Sequence, residues 1–474
     1  MGASLLIIGA GVAGLAATIR LFEFGYTDIK ILEATNRIGG RVKTVPFGAN
    51  VVEIGAQWCH GTKNNSVYDL AGPMGLLETS IVARGSRLLK SNGEMVPNEI
   101  TDRLMTVADR ILNEDAMSYY TGTLGEYFTK RFMEVASTQL TDIDSELVQT
   151  FLNFYQNFER GSIAQDSLYN TKASRWANSE KEISLSWKPT GYKSILDLML
   201  KRYPGQAGQS IPIENNILFN KVVTNINWDQ GSNCAVTVKC EDGTTYTADQ
   251  VILTTSLGVL KENIDTMFTP QLPTIKQNAI RGLNFGTVNK IFMEFAEPFW
   301  TDMGNLFGLL WDSQELEALR SSAYAWAEGV INFFKVDNQP NVLAAWIDGR
   351  QGRDAELLDD TEIVKGLMFV LKKFFKSKQI PEPVKMTRSK WLSEKHFRGS
   401  YSSYSLTTDQ LNTGCEDLAI PLTNCQGDPV LLFAGEATNR KQQSTVHGAI
   451  ASGRREADRL IELYRSKAKS SMLI

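Results

Sequence analysis

The chain has 474 residues, 43% hydrophobic and 22% charged, and a net charge of −4. This length and ordinary composition describe a globular protein of two or three domains with a sizeable core, not a disordered or fibrous chain. The small acidic balance argues against a nucleic-acid binder, and three histidines with five cysteines in no CxxC pair leave no expected metal site.

The apolar run Leu5–Ile8 predicts a buried strand, Val12–Phe24 a helix, and Ile29–Leu32 a second strand. Gly9, Gly11 and Gly14 lie between the first strand and the helix, and Glu33 ends the second strand, nineteen residues after Gly14. The first glycine permits a tight turn and the second lets a diphosphate approach the backbone. The third lets helix and strand pack closely, so the diphosphate rests on the helix N-terminus. Glu33 stands where a carboxylate accepts from a ribose hydroxyl, which favours an adenine dinucleotide without a 2′-phosphate.

The turn Gly39-Gly40-Arg41 follows, then Gly55-Ala-Gln-Trp58-Cys-His60-Gly61. Paired glycines expose backbone N–H groups, and Arg37 and Arg41 suit phosphate charge. A flavin dinucleotide lying extended along the chain needs this second cradle; a nicotinamide cofactor does not. Helical spacing marks Ile100–Leu112 and Leu147–Phe158. Strands are predicted over Val236–Cys240, Gln250–Leu253, Lys290–Phe295, Val342–Ile347 and Val430–Phe433, with helices over Thr361–Phe375 and from Val446 to Tyr464. The N-terminus of that last helix presents free N–H groups and a positive dipole to the cofactor.

These segments, taken together nearly end to end, resemble the flavin-dependent amine oxidase family, nearest its animal-type polyamine oxidases. The resemblance implies an α/β and α+β fold. A discontinuous Rossmann-like FAD-binding unit (1–75, 190–265 and 386–474) would carry an inserted mixed sheet-and-helix substrate unit (76–189 and 266–385). It implies non-covalent FAD and assigns Gly40, Arg41, Val223, Trp391, Glu436 and Val446 to the cofactor, beside Gly9, Gly11, Gly14 and Glu33. Val223 would meet adenine through its backbone, Glu436 the ribityl-diphosphate, and the Val446 N–H the ring carbonyl.

In that family a lysine at the position of Lys290 holds a water against flavin N5 and assists the reaction with oxygen. A buried lysine there is expected to have a lowered pKa. His60 matches the Gly-Ala-x-Trp-x-His-Gly segment of animal and fungal polyamine oxidases, where it would bond a substrate amine. Trp391 and Tyr401 would supply aromatic walls, Tyr401 facing the ring and attracting ammonium groups, with Trp58 beside His60 at the substrate, and Thr445 would line the cavity. Gln442-Gln443 stands where spermine oxidases show tyrosines, a departure that leaves the substrate open. Asp166 falls near the place where relatives carry an anion for distal ammonium groups. His447 and His396 are expected to be structural and at the surface, respectively.

The implied reaction is FAD-dependent oxidation of a secondary amine of spermine, spermidine or an N1-acetyl derivative to an imine. Hydrolysis gives an aldehyde and a shorter amine, while O2 becomes H2O2. The alternatives are a monoamine or L-amino-acid oxidase and a catalytically silent flavin-binding protein. Cys415 and Cys425, ten apart in a loop-like stretch, are either a disulfide of an exported protein or two unpaired thiols. The apolar N-terminus is the first strand rather than a signal peptide, and no span of eighteen apolar residues exists. The protein is expected to be soluble and cytoplasmic, with peroxisomal and secreted locations and the oligomeric state left open.

Overall fold

The computed structural model describes residues 3–83, 85–176, 183–206, 208–229, 235–301, 303–376 and 378–471. Three short, mostly apolar runs with no charged residue inside them, Leu5–Ile8, Gln250–Leu253 and Pro429–Phe433, cluster at the centre of one six-stranded sheet. Its order is 422–423, 429–433, 250–253, 5–8, 29–32, 217–218, parallel throughout except at the 422–423 edge. The central strands are buried on both faces, as parallel strands covered by helices require. Helices Val12–Glu23 and Val446–Ser471 pack together over one face. Gly453 allows the close approach, since a Cβ there would stand 2.1 Å from the Ala13 carbonyl.

The first strand is flanked by 29–32 on one side and 250–253 on the other. The chain order therefore switches direction at its carboxyl end, where Gly9 lies. Ligands of open parallel sheets bind at such a switch point.

A second six-stranded sheet has the order 385–388, 288–294, 339–348, 330–336, 306–310, 86–90. Side chains alternate across it with period two. Ile291, Met293, Leu343, Ala345 and Phe333 turn to a core covered by helix Asp360–Phe374. Lys290, Trp346 and Asn332, directly opposite one another on three adjacent strands, turn to the other face. Strand Tyr401–Ser403 pairs with Asn284–Gly286 and ties the two sheets' surroundings together. Helices Asn98–Ile111, Leu124–Gln139 and Ser145–Ser162 form a separate aromatic-rich cluster against the second sheet.

Cys415 is a fully buried free thiol, so the 415–425 disulfide is not made; Cys234 lies outside the described residues. Among the described residues no helix is long and apolar enough to cross a membrane, and no cluster of His, Cys, Asp and Glu is built to hold a metal.

Candidate active site

A cavity of about 1140 Å³ runs from the switch point of the first sheet to the open face of the second. It exceeds the roughly 300–1,000 Å³ of a small-molecule pocket, which leaves room for a dinucleotide and a substrate. Every expected site residue lines it except Gly14, Arg37 and Asp166.

At the dinucleotide end, Gly9 has φ +103°, a conformation open to glycine without strain. A Cβ on Gly14 would stand 2.0 Å from the Gly9 carbonyl oxygen, so Gly14 acts by packing and not by lining. Gly11 caps helix Val12–Glu23 with no side-chain hydrogen bond. The first N–H groups of that helix are thus left for an anion. Glu33 is 7% exposed, and its carboxylate accepts from the Ala10 N–H at 2.7 Å and the Thr35 N–H at 2.8 Å. These bonds hold the carboxylate in place at the end of the second strand.

Arg37 departs from the phosphate-binding expectation. Its guanidinium donates to the Gly40 carbonyl at 2.6 Å and to those of Ile38 and Val42, so it holds the Gly39-Gly40 turn in shape. Arg41 does line the cavity and pairs with Glu436 at 2.9 Å. The same carboxylate accepts from the Ser402 hydroxyl at 2.6 Å and the Ser444 N–H at 3.1 Å. Thr445 caps the last helix by accepting from the Gly448 N–H at 3.0 Å, which leaves the Val446 N–H at the cavity wall for another acceptor. His396 also lines the cavity near Glu33, and so is more than a surface group.

At the far side of this cradle, Lys290 is 6% exposed. Its ammonium donates to the Gly55 carbonyl at 2.6 Å and to Gln57 Oε1 at 3.0 Å. Burial pushes its pKa down, opposed by the Glu53 carboxylate nearby. Two of its three protons are engaged, and one remains to face the cavity. The aromatic wall is Trp58 against Trp346, with ring centroids 5.3 Å apart, and Phe334 beyond them. The Tyr401 hydroxyl donates to the Gly161 carbonyl at 2.5 Å, which ties the ring to helix Ser145–Ser162. Gln443, at the position of the missing tyrosine, donates to the Ser402 hydroxyl at 3.0 Å.

His60 lines the cavity and is accessible from it, and the protein packed around it lowers its pKa by desolvation. His447 lies close by and is pushed down to about 4, first by burial and then by His60. Both imidazoles are therefore neutral at pH 7, and His447 belongs to the site's electrostatics rather than only to the helix start.

Asp166 does not fill the expected anion position. Both its oxygens are taken by Arg353, at 2.8 and 2.7 Å, outside the cavity. Two other carboxylates line the cavity, Glu159, 8% exposed, and the exposed Asp109, together with Arg175, whose guanidinium is paired with Asp409. Tyr155 stands beside both, donating to Asp109 at 2.5 Å. The signal for Glu159 was present in the sequence. Phe151, Phe154, Tyr155 and Phe158 form a helical stripe, and Glu159 falls four residues after Tyr155 on that same apolar face.

A parallel sheet with a glycine-turned anion cradle, opening on a second chamber with a buried lysine, defines a dinucleotide-dependent enzyme of the two-chamber type. The particular family follows from comparison. The model for flavin containing amine oxidoreductases matches residues 12–461, and the chain belongs to that family. It is 32% identical to the human peroxisomal N(1)-acetyl-spermine/spermidine oxidase, over 98% of this chain and 96% of the relative. It is 27% identical to polyamine oxidase 1 of Zea mays, over 98% and 92%. The solved structure of a putrescine oxidase bound to putrescine superposes with a TM-score of 0.69 at 19% identity, covering 97% of this chain and 99% of that one, a likeness of fold.

The protein is thus an FAD-dependent amine oxidase. The uncapped helix N-terminus, the fixed Glu33 and the free Val446 N–H fit that cofactor. Among the described residues no cysteine lines the cavity, so no thiol is placed to bond the flavin ring.

Proposed function

We propose that the protein oxidises a secondary amine within a polyamine. The observation that carries this reading is the cavity's polarity. Its lining combines the His60 imidazole and aromatic rings with the carboxylates Glu159 and Asp109, while Arg175, which lines it too, is paired with Asp409 at 2.8 Å. A monoamine has no group for Glu159 and Asp109 to hold; a polyamine does.

In this reading Glu159 takes a distal ammonium by a charge-assisted hydrogen bond. Trp58, Trp346, Phe334 and Tyr401 confine the aliphatic chain and exclude water. His60, neutral at pH 7, accepts a hydrogen bond from the reacting amine and favours its uncharged form, the only form with a lone pair to support loss of the α-hydrogen. The bound FAD supplies the electron acceptor for that C–H bond and passes the electrons to oxygen. Lys290 holds a proton at the cavity wall for exchange with the reacting groups. The imine is hydrolysed to an aldehyde and a shorter amine, and oxygen becomes hydrogen peroxide.

The division into an FAD unit and a substrate unit belongs to the same proposal. The two six-stranded sheets draw their strands from the two sets of segments, although strand Lys385–Arg388 joins the substrate sheet across the expected break at 386. Cytoplasmic residence is likewise proposed, and the free buried thiol of Cys415 supports a reducing compartment.

Product analysis tests the reaction. Spermine in oxygenated buffer should yield an aminoaldehyde, a shorter amine and peroxide in equal amounts. Ammonia in place of the shorter amine would mean that a primary amine is the reacting group.

A further inference from the structure

Beyond Gln57, a second, rear cavity of about 40 Å³ is lined by Glu53, Gln57, Ser186, Trp187, Lys188 and Asn338, among others. Gln57 belongs to both cavities and accepts from Lys290 on the way between them. The rear cavity is large enough for water and offers it polar partners. The buried Trp187 indole N–H has no protein acceptor, and Lys188 and Asn338 are exposed at the outer end.

Glu53 faces this cavity from the strand Asn50–Glu53. The Tyr192 N–H and the Thr44 hydroxyl each donate to it at 2.7 Å. Gly191 leaves the space for its carboxylate, since a Cβ there would stand 2.7 Å from Glu53 Oε1. No direct ion pair joins Glu53 to Lys290. We propose that Glu53 and Lys290 hold one exchangeable proton between them, and that Glu53 renews it from solvent through the rear cavity.

The step balances simply. No hydrogen bond joins the two groups, so a water carries the proton. An N–H bond of the Lys290 ammonium breaks as an O–H bond forms on the water, and that water gives one of its protons to Glu53, or the reverse, with total charge zero in both arrangements and no electron moved. Burial disfavours both charged forms, raising Glu53 and lowering Lys290, while each charge supports the other. Two such groups titrate as a unit. The other groups facing Glu53 are Lys193, the Tyr192 phenol, which burial keeps protonated, and Lys188 with Asp337 across the rear cavity. Asp337 is committed to the hydroxyls of Ser80 and Ser186.

The use of this proton rests on the amine oxidase reading above: the reduction of oxygen to peroxide takes up protons that amine oxidation releases in the same turnover, and a rear path lets Lys290 exchange its proton with solvent while substrate fills the front. Glu53 is on this view a positioning residue that acts through Lys290.

The experiment is competitive labelling of Lys290 with trace acetic anhydride across pH 5 to 10, on flavin-loaded protein without substrate, read by peptide mass spectrometry. Glu53→Gln removes the charge that favours the ammonium, so the labelling midpoint should fall by about one unit or more. Thr44→Val removes one hydrogen bond from the carboxylate and should move the midpoint the same way by less. In stopped-flow mixing of reduced enzyme with oxygen, the pH midpoint of flavin reoxidation should shift in parallel. Labelling midpoints unchanged in both variants would overturn the coupling. A shifted labelling midpoint with an unmoved reoxidation profile would overturn the proton supply. The labelling needs no amine, so a failure of every polyamine to reduce the flavin would count against the function alone.

Discussion

Replacing Glu159 by glutamine isolates the charge at the distal end of the cavity. The side chain keeps its shape and its neighbours Ser162 and Tyr155, and only 8% of the residue is exposed. A hydrogen bond to a charged partner contributes about 1.5–3 kcal/mol, and each 1.4 kcal/mol is tenfold. The dissociation constant for spermine should therefore rise by about 10- to 150-fold, while the limiting rate of flavin reduction changes little, because Lys290, His60 and Tyr401 are untouched. A monoamine of similar length, with no second ammonium, should bind wild type and variant alike. The assay is anaerobic stopped-flow reduction at increasing amine concentration, which separates binding from the limiting rate. Equal losses for both amines, or no loss for spermine, would refute the role given to Glu159.

Lys290→Met should leave flavin bound but slow turnover by about 10²-fold or more, the ordinary weight of a positioned proton donor or acceptor, measured as steady-state oxygen uptake. Gly14→Ala should yield mainly flavin-free protein, read as the ratio of absorbance at 450 and 280 nm. Its Cβ would meet the Gly9 oxygen at 2.0 Å, against a practical minimum of 3.0 Å. The helix must shift by about 1 Å at a cost of about 1–3 kcal/mol. Stability should fall as pH drops from about 6.5 toward 4. The folded-state pKa of His447 is depressed to about 4, so the unfolded chain binds the extra proton across that window, at a cost of at most about 3 kcal/mol. Thermal melts at pH 7, 6 and 5 should show a flatter slope for His447→Gln; parallel slopes would contradict the assignment.

The dinucleotide end was legible because its chemistry is local. Gly9, Gly11, Gly14 and Glu33 sit within one strand–helix–strand unit, and turn sterics alone dictate their types. The strand Val288–Glu294 and the start of the last helix at Val446 could also be read from pattern. The carboxylate end was legible only in part: the stripe from Phe151 to Phe158 points to Glu159, but which carboxylate enters the cavity depends on which loops meet. Asp166 and Glu159 are seven residues apart, and only the tertiary position of Arg353 decides that the first is neutralised outside while the second faces in. The same holds for Arg37, which spacing offers to phosphate and the fold turns onto the Gly40 carbonyl. Trp346 reaches the wall only through its pairing with Lys290 across two strands 56 residues apart in the chain. Glu53 and the rear cavity have no sequence signal, since a glutamate before an apolar-glycine turn reads as a hairpin end.

The central claim is that this cavity oxidises polyamines. Its most direct test is anaerobic titration of the bound flavin, followed at 450 nm, with spermine, spermidine, N1-acetylspermine, a simple monoamine and an L-amino acid. The account predicts bleaching by one or more of the three polyamines at rates at least about tenfold above those of the monoamine and the amino acid. Bleaching by the monoamine or the amino acid alone, or by none of the five, would contradict it.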